Sequence, residues 1–148
     1  MPVEWTPELT VNDELLDRHH VEMFRALGAA AGAVGEGREV EAREAVARFA
    51  DTFVEHVAVE EGLMEETLWP ERDRHRAAHE LFGADLLLMR AELEQSGPTP
   101  AVTEWVTSRA PEWLRFHIRT NDAPFAAYLA RRRMASSGPA ARREIKRH

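Results

Sequence analysis

The sequence predicts an all-α protein, an antiparallel up-down-up-down four-helix bundle with an extended N-terminal arm. Three observations carry this reading. Four stretches repeat apolar residues in alternating steps of three and four, which is how a helix with one buried face is written. Clusters of glycine and proline separate the stretches. The connections left between them are short, and short loops force neighbouring helices antiparallel.

Residues 1 to 11 read as the arm, with Trp5 and Leu9 placed to pack onto the bundle. Asn12 is expected to cap the first helix. The inner face of that helix runs Leu16, His20, Met23, Phe24, Leu27, Ala31, Val34, and Gly35-Glu36-Gly37 ends it. The second helix is expected from about Val40 to Thr67, with the seam Val46, Phe49, Phe53, His56, Glu60, Leu63, Thr67. Trp69-Pro70 should open the third, whose face reads His75, His79, Phe82, Leu86, Met89, Leu93 before Ser96-Gly97-Pro98 stops it. Thr99-Pro100 is a cap followed by a first-turn proline, so the fourth helix should begin near Ala101 and face inward through Val102, Val106, Ala110, Trp113 and His117. Two prolines interrupt it. Pro111 removes an amide and crowds the carbonyl of Thr107, which predicts a kink or restart near Ala110 with Glu112 to Asn121 re-forming as helix. Pro124 predicts a break just past Asp122.

Composition fits one compact domain, residues 1 to 130, followed by a basic tail, residues 131 to 148, expected to be flexible. The first part holds 12 basic and 25 acidic residues, the tail 7 basic and 1 acidic. The tail is therefore a separate electrostatic unit, suited to an acidic partner, and nucleic-acid binding is not expected of the bundle. No apolar run is long enough to span a bilayer and the N-terminus lacks the regions of a signal peptide, so the chain reads as cytoplasmic without membrane insertion. With no cysteine, disulfides, thiolate metal sites and a cysteine nucleophile are excluded. There is no glycine-rich phosphate loop, nucleophile elbow or dinucleotide fingerprint, and no catalytic residue is assigned.

The seams carry an anomaly. Seven polar residues, His20, His56, Glu60, His75, His79, His117 and Asp122, sit where the helices should bury leucine. A buried carboxylate without a partner costs several kcal/mol, roughly, and a cation removes that cost. The set therefore points to a metal centre. His56 with Glu60, and His75 with His79, are four residues apart and project from one helix face. His117 and Asp122 are five apart, about 140° round an ideal helix, and converge only where the helix loosens. His19 is read as surface or boundary, Glu61 as solvent-exposed and Asp17 as an exposed helix acid; His148 is terminal and expected to be solvated.

In these motifs the chain resembles the hemerythrins. The matching segments, in order and spacing, are Trp5 to Leu9, Asp17 to Phe24, His56 to Met64, His75 to His79, and Trp113 to Ile118 with Asp122. The resemblance implies two non-haem iron ions: His75, His79 and His117 on one, His20 and His56 on the other. Glu60 and Asp122 bridge both, and a solvent-derived oxo or hydroxo group completes the bridge. Two octahedral irons with these donors keep one position open, which the resemblance places on the two-histidine iron as the site for dioxygen. Trp113, Leu63, Met64, Met23 and Ile118 are candidates to line a dry pocket there. Val57 departs from the family, which often carries an aromatic residue after that histidine; a smaller side chain there is expected to loosen the packing round His56. The function implied is reversible dioxygen binding for storage, delivery or buffering. Two alternatives stay open: a di-iron redox enzyme reducing peroxide or nitric oxide, and an oxygen or iron sensor. Oligomeric state is left open.

Overall fold

The computed structural model describes residues 3–136, and within them the fold is an all-α four-helix bundle with an N-terminal arm. The helices are α1 (Glu14–Gly35), α2 (Glu39–Glu66), α3 (Arg72–Ser96) and a fourth helical run, residues 100–136, here α4. Among the described residues no helix is long and apolar enough to cross a membrane. Ser137 to Pro139, His148 and most of the basic tail lie outside the described residues.

The arm is held, not loose. Pro7–Leu9 forms a single 3-10 turn that buries Leu9, and Trp5 packs partly buried against the core. Asp17 fixes this turn to α1, accepting from the Thr10 hydroxyl at 2.6 Å and from the Val11 amide at 2.9 Å. It is thus a latch and not the exposed acid its position suggests. Gly28 permits the arm to approach: a Cβ there would stand 2.8 Å from the carbonyl oxygen of Val3.

Helix boundaries follow local chemistry. The cap of α1 is Asp13, whose carboxylate accepts from the Leu16 amide at 3.0 Å, and not Asn12. Asn12 instead takes φ 58°, a left-handed conformation that asparagine tolerates better than most side chains, and turns the arm into the helix. α1 closes through Arg38 N–H to the Ala33 carbonyl, with Gly37 at φ 71° making the turn. α3 starts two residues later than Trp69-Pro70 suggests, because Leu68 at φ 54° and Pro70 belong to the turn. Thr99 caps α4 as expected, accepting from the Val102 amide, with Pro100 in the first turn.

α4 restarts as an α-helix at Ala110, as expected, and does not break at Pro124. It runs as Pro100–Glu104, a π turn over Trp105–Arg109, Ala110–His117, a second π turn over Ile118–Asp122, and Ala123–Ser136. Each π turn ends on the alanine that precedes a proline: Ala110 N–H reaches the Trp105 carbonyl and Ala123 N–H the Ile118 carbonyl, each five residues back. The wider turn gives the pyrrolidine ring room beside the carbonyl with which it would otherwise clash, so the break expected past Asp122 becomes a loosened turn in a continuous helix.

The main core fills the bundle with Phe24, Leu27, Phe49, Phe82, Trp105 and their neighbours, all buried. Each large apolar side chain of this kind stabilises the fold by roughly 1.5–3 kcal/mol relative to exposure. A smaller cluster of Met64, Phe125 and Leu129 forms separately. Between the two lies a polar layer: Phe53 of the main core meets His79 edge-on at 6.2 Å, and Phe125 of the small cluster meets His75 edge-on at 6.1 Å.

Candidate metal centre

All seven seam residues reach this layer and all are buried, with His20, Glu60 and Asp122 at 0 % exposure. α1 supplies His20, α2 supplies His56 and Glu60, α3 supplies His75 and His79, and α4 supplies His117 and Asp122. The i,i+4 pairs converge by ordinary helix geometry. His117 and Asp122 converge because the π turn over Ile118–Asp122 absorbs the fifth residue, bringing Nε2 of His117 to 3.1 Å from Oδ1 of Asp122.

Five imidazoles present Nε2 to the middle. Nε2 of His20 lies 2.7 Å from Oδ2 of Asp122, and His56 3.5 Å from the same oxygen. Oε1 of Glu60 lies 3.0 Å from His56, 3.2 Å from His75 and 3.2 Å from His79, while Oδ1 of Asp122 lies 3.0 Å from His75. Nε2 of His79 and Nε2 of His117 face each other at 3.2 Å. Few of these approaches satisfy hydrogen bonding. Among the described residues, Nε2 of His56, Nε2 of His75, both oxygens of Glu60 and Oδ1 of Asp122 are buried without a hydrogen-bond partner. Buried polar atoms normally find one, because leaving each unpaired costs about 1–3 kcal/mol. Lone pairs aimed at a common point are instead what a cation requires, and neutral imidazole with carboxylate suits a first-row transition metal.

Charge tells the same story. Burial works to lower the pKa of His56, but the negative charges of Glu60 and Asp122 beside it overcome that and raise it to about 10. For His75, burial is likewise overcome by the carboxylates of Asp122 and Glu60 close to its Nε2, giving about 9. Burial and the Asp122 charge push Glu60 up, yet His56 beside it holds the carboxyl below its ordinary range. Asp122 is likewise held low against burial, chiefly by His117. At His117 burial wins and the imidazole is pushed down.

The donors fall into two groups capable of holding a metal ion. Glu60, His75, His79, His117 and Asp122 form one, and His20, His56 and Asp122 form the other, with the donor atoms in each group within 4.8 Å of one another. Asp122 belongs to both. Met23, Met64 and Ile118 are buried near this layer, whereas Leu63 and Trp113 are only partly so. Trp113 stacks on His117, ring centroids 4.4 Å apart and 13° from parallel, and also on Phe82, ring centroids 4.0 Å apart and 17° from parallel. Val57 packs against the main core.

Two further polar residues, both beside the site, lie elsewhere than the sequence suggests. His19 is not a boundary residue: it is 2 % exposed, and its Nδ1 lies 3.1 Å from Nδ1 of His56. The signal was present, since Leu16, His19, Met23, Ala26, Ala30 and Ala33 make a second line of threes and fours beside the one through His20, and α1 buries both. Glu61 does not point away from the site. It is half-buried, with Oε2 3.0 Å from Nδ1 of His79 and Oε1 3.5 Å from Arg76. A carboxylate behind an imidazole fixes the tautomer that presents the other nitrogen inward.

Comparison with known proteins agrees with this geometry. The family model described as Hemerythrin HHE cation binding domain matches residues 11–129. The chain is also 25% identical over 122 residues to a bacteriohemerythrin of Stenotrophomonas maltophilia (strain R551-3), an alignment covering 82% of this chain and 78% of that protein.

Proposed function

The chain belongs to the hemerythrin HHE cation-binding family, and on that premise we propose that it binds dioxygen reversibly at a non-haem di-iron centre, for oxygen storage, delivery or buffering. His75, His79 and His117 would hold one iron, His20 and His56 the other. Glu60 and Asp122 would bridge the two with a solvent-derived oxo or hydroxo group. The observation that supports this most is the pair of buried donor groups sharing Asp122, three histidines on one side and two on the other. When bound, the irons supply the two electrons that dioxygen binding draws on.

The chain's own residues set the conditions. Five neutral imidazoles against two carboxylates form a donor set poor in anions, which favours the ferrous state over a high-valent one. Phe53 and Phe125 flank the layer from either side, and Met23, Met64 and Ile118 are buried beside it, so water is excluded from the donors. Glu61 holds His79 in place by accepting at Nδ1, and Trp113 holds the plane of His117 by stacking on it.

The test is anaerobic titration with ferrous iron followed by exposure to oxygen at an electrode. Uptake of two irons per chain, then of dioxygen that argon recovers, is the expected result. Oxygen consumed without recovery contradicts a carrier and favours redox turnover.

A further inference from the structure

His19 lies behind a candidate ligand, His56. Its ring meets that of His56 at 86°, centroids 5.2 Å apart, with the two Nδ1 atoms at 3.1 Å. Two imidazole nitrogens at that separation make one hydrogen bond, in which one carries the proton and the other the lone pair. The surroundings decide which. Nε2 of His56 is committed inward, 3.0 Å from Glu60 and 3.5 Å from Asp122. Nε2 of His19 faces outward, 4.0 Å from the carboxylate of Glu55, a side chain that is 69% exposed. A carboxylate at that end favours the proton on Nε2 of His19 and leaves its Nδ1 as an acceptor. By contrast, the buried Nδ1 atoms of His20 and His75 have no hydrogen-bond partner among the described residues.

We propose that His19 is a positioning residue for the two-histidine metal position: its Nδ1 accepts a hydrogen bond from Nδ1–H of His56 and so holds His56 Nε2 toward Glu60 and Asp122. This rests on the reading of His56 as a metal ligand. A partner on the outward nitrogen fixes both the tautomer and the ring orientation of a ligating imidazole, and its loss typically weakens metal binding by about 10- to 100-fold. His19 does for His56 what Glu61 does for His79, with a neutral ring in place of a carboxylate. It acts on one metal position and not on the other, because His56 belongs to the group with His20.

Two substitutions of similar size separate positioning from packing. His19→Asn retains an acceptor where Nδ1 stands, and His19→Leu fills the same space without one. Stepwise titration with cobalt(II), read by its visible bands, gives the affinity of each metal equivalent. The expected result is that H19L weakens one of the two equivalents by about 10- to 100-fold while the other is unchanged, and that H19N restores it. Equal weakening of both equivalents, no weakening, or an H19N chain as weak as H19L overturns the proposal. A second readout needs no metal: in proton–nitrogen correlation spectra of the metal-free chain, the Nδ1 proton of His56 should be protected from solvent exchange in wild type and H19N and lost to exchange in H19L. Equal protection in all three chains overturns it. A wild-type chain that takes up no metal contradicts the di-iron reading, and the metal-free spectra then decide the hydrogen bond alone.

Discussion

Nε2 of His117 stands 3.1 Å from Oδ1 of Asp122 although the two are five positions apart in the chain, an approach that an unbroken α-helix does not allow. The π turn over Ile118–Asp122 makes the approach, and it does so immediately before Pro124. One local irregularity thus accommodates a proline and completes a buried donor set.

Because Asp122 belongs to both donor groups and His20 to only one, their removal should differ. His20→Ala is expected to leave one metal per chain and Asp122→Ala to leave none, measured by elemental analysis after reconstitution and desalting. Equal stoichiometry in the two variants would sink the shared role of Asp122.

The metal-free chain should be sensitive to alkali. His56 and His75 have folded values of about 10 and about 9 against an ordinary 6.5, so each binds its proton more tightly folded than unfolded. The stabilisation is complete below the unfolded value and is lost as pH rises through about 9 and 10. Urea midpoints of metal-free protein should therefore fall over that window. Metal-loaded protein, in which the cation replaces those protons, should show no such fall, and a parallel decline in both forms would contradict the assignment.

Removing one carboxylate from the layer strands the imidazoliums beside it. Glu60→Ala should destabilise the metal-free chain by ~3–5 kcal/mol, the usual cost of breaking a buried ion pair. Chemical denaturation measures it, and a change below ~1 kcal/mol would mean that Glu60 is not paired in the folded chain.

Trp113 stacks on His117, so its emission should report on the metal. Loading with cobalt(II) is expected to quench tryptophan fluorescence in the wild type and to quench it much less in Trp113→Phe. If the variant is quenched to the same extent, the signal arises from another tryptophan and the contact carries no such reporting role.

The arm depends on one carboxylate. Asp17→Ala removes the acceptor for Thr10 and Val11 and should cost about 1.5–3 kcal/mol, the range for hydrogen bonds to a charged group. Faster amide exchange at Val11 with α1 unchanged is the local sign, and unaltered protection there would show that packing by Leu9 and Trp5 holds the arm without it.

Much of this is readable from residue order alone. Steps of three and four place four helices and put six of the seven polar residues on inner faces, because burial is periodic in a helix, whereas Asp122 joins them through the π turn over Ile118–Asp122. The fate of the fourth helix is harder to read. A proline signals that the ladder must change, but not whether the chain breaks or widens by one residue, and at Pro111 and Pro124 it widens. His19 escaped for another reason. A single seam through His20 leaves His19 outside, whereas α1 buries a face broad enough for two adjacent lines. Asn12 and Asp13 are equally good caps by type, and only the backbone turn at Asn12 decides between them.

The most direct measurement is the visible spectrum of iron-loaded, anaerobically reduced protein, taken before air, after air and after argon sparging. A charge-transfer band that appears with air and vanishes under argon is the predicted result. Immediate and permanent conversion to a di-ferric spectrum would contradict reversible oxygen binding.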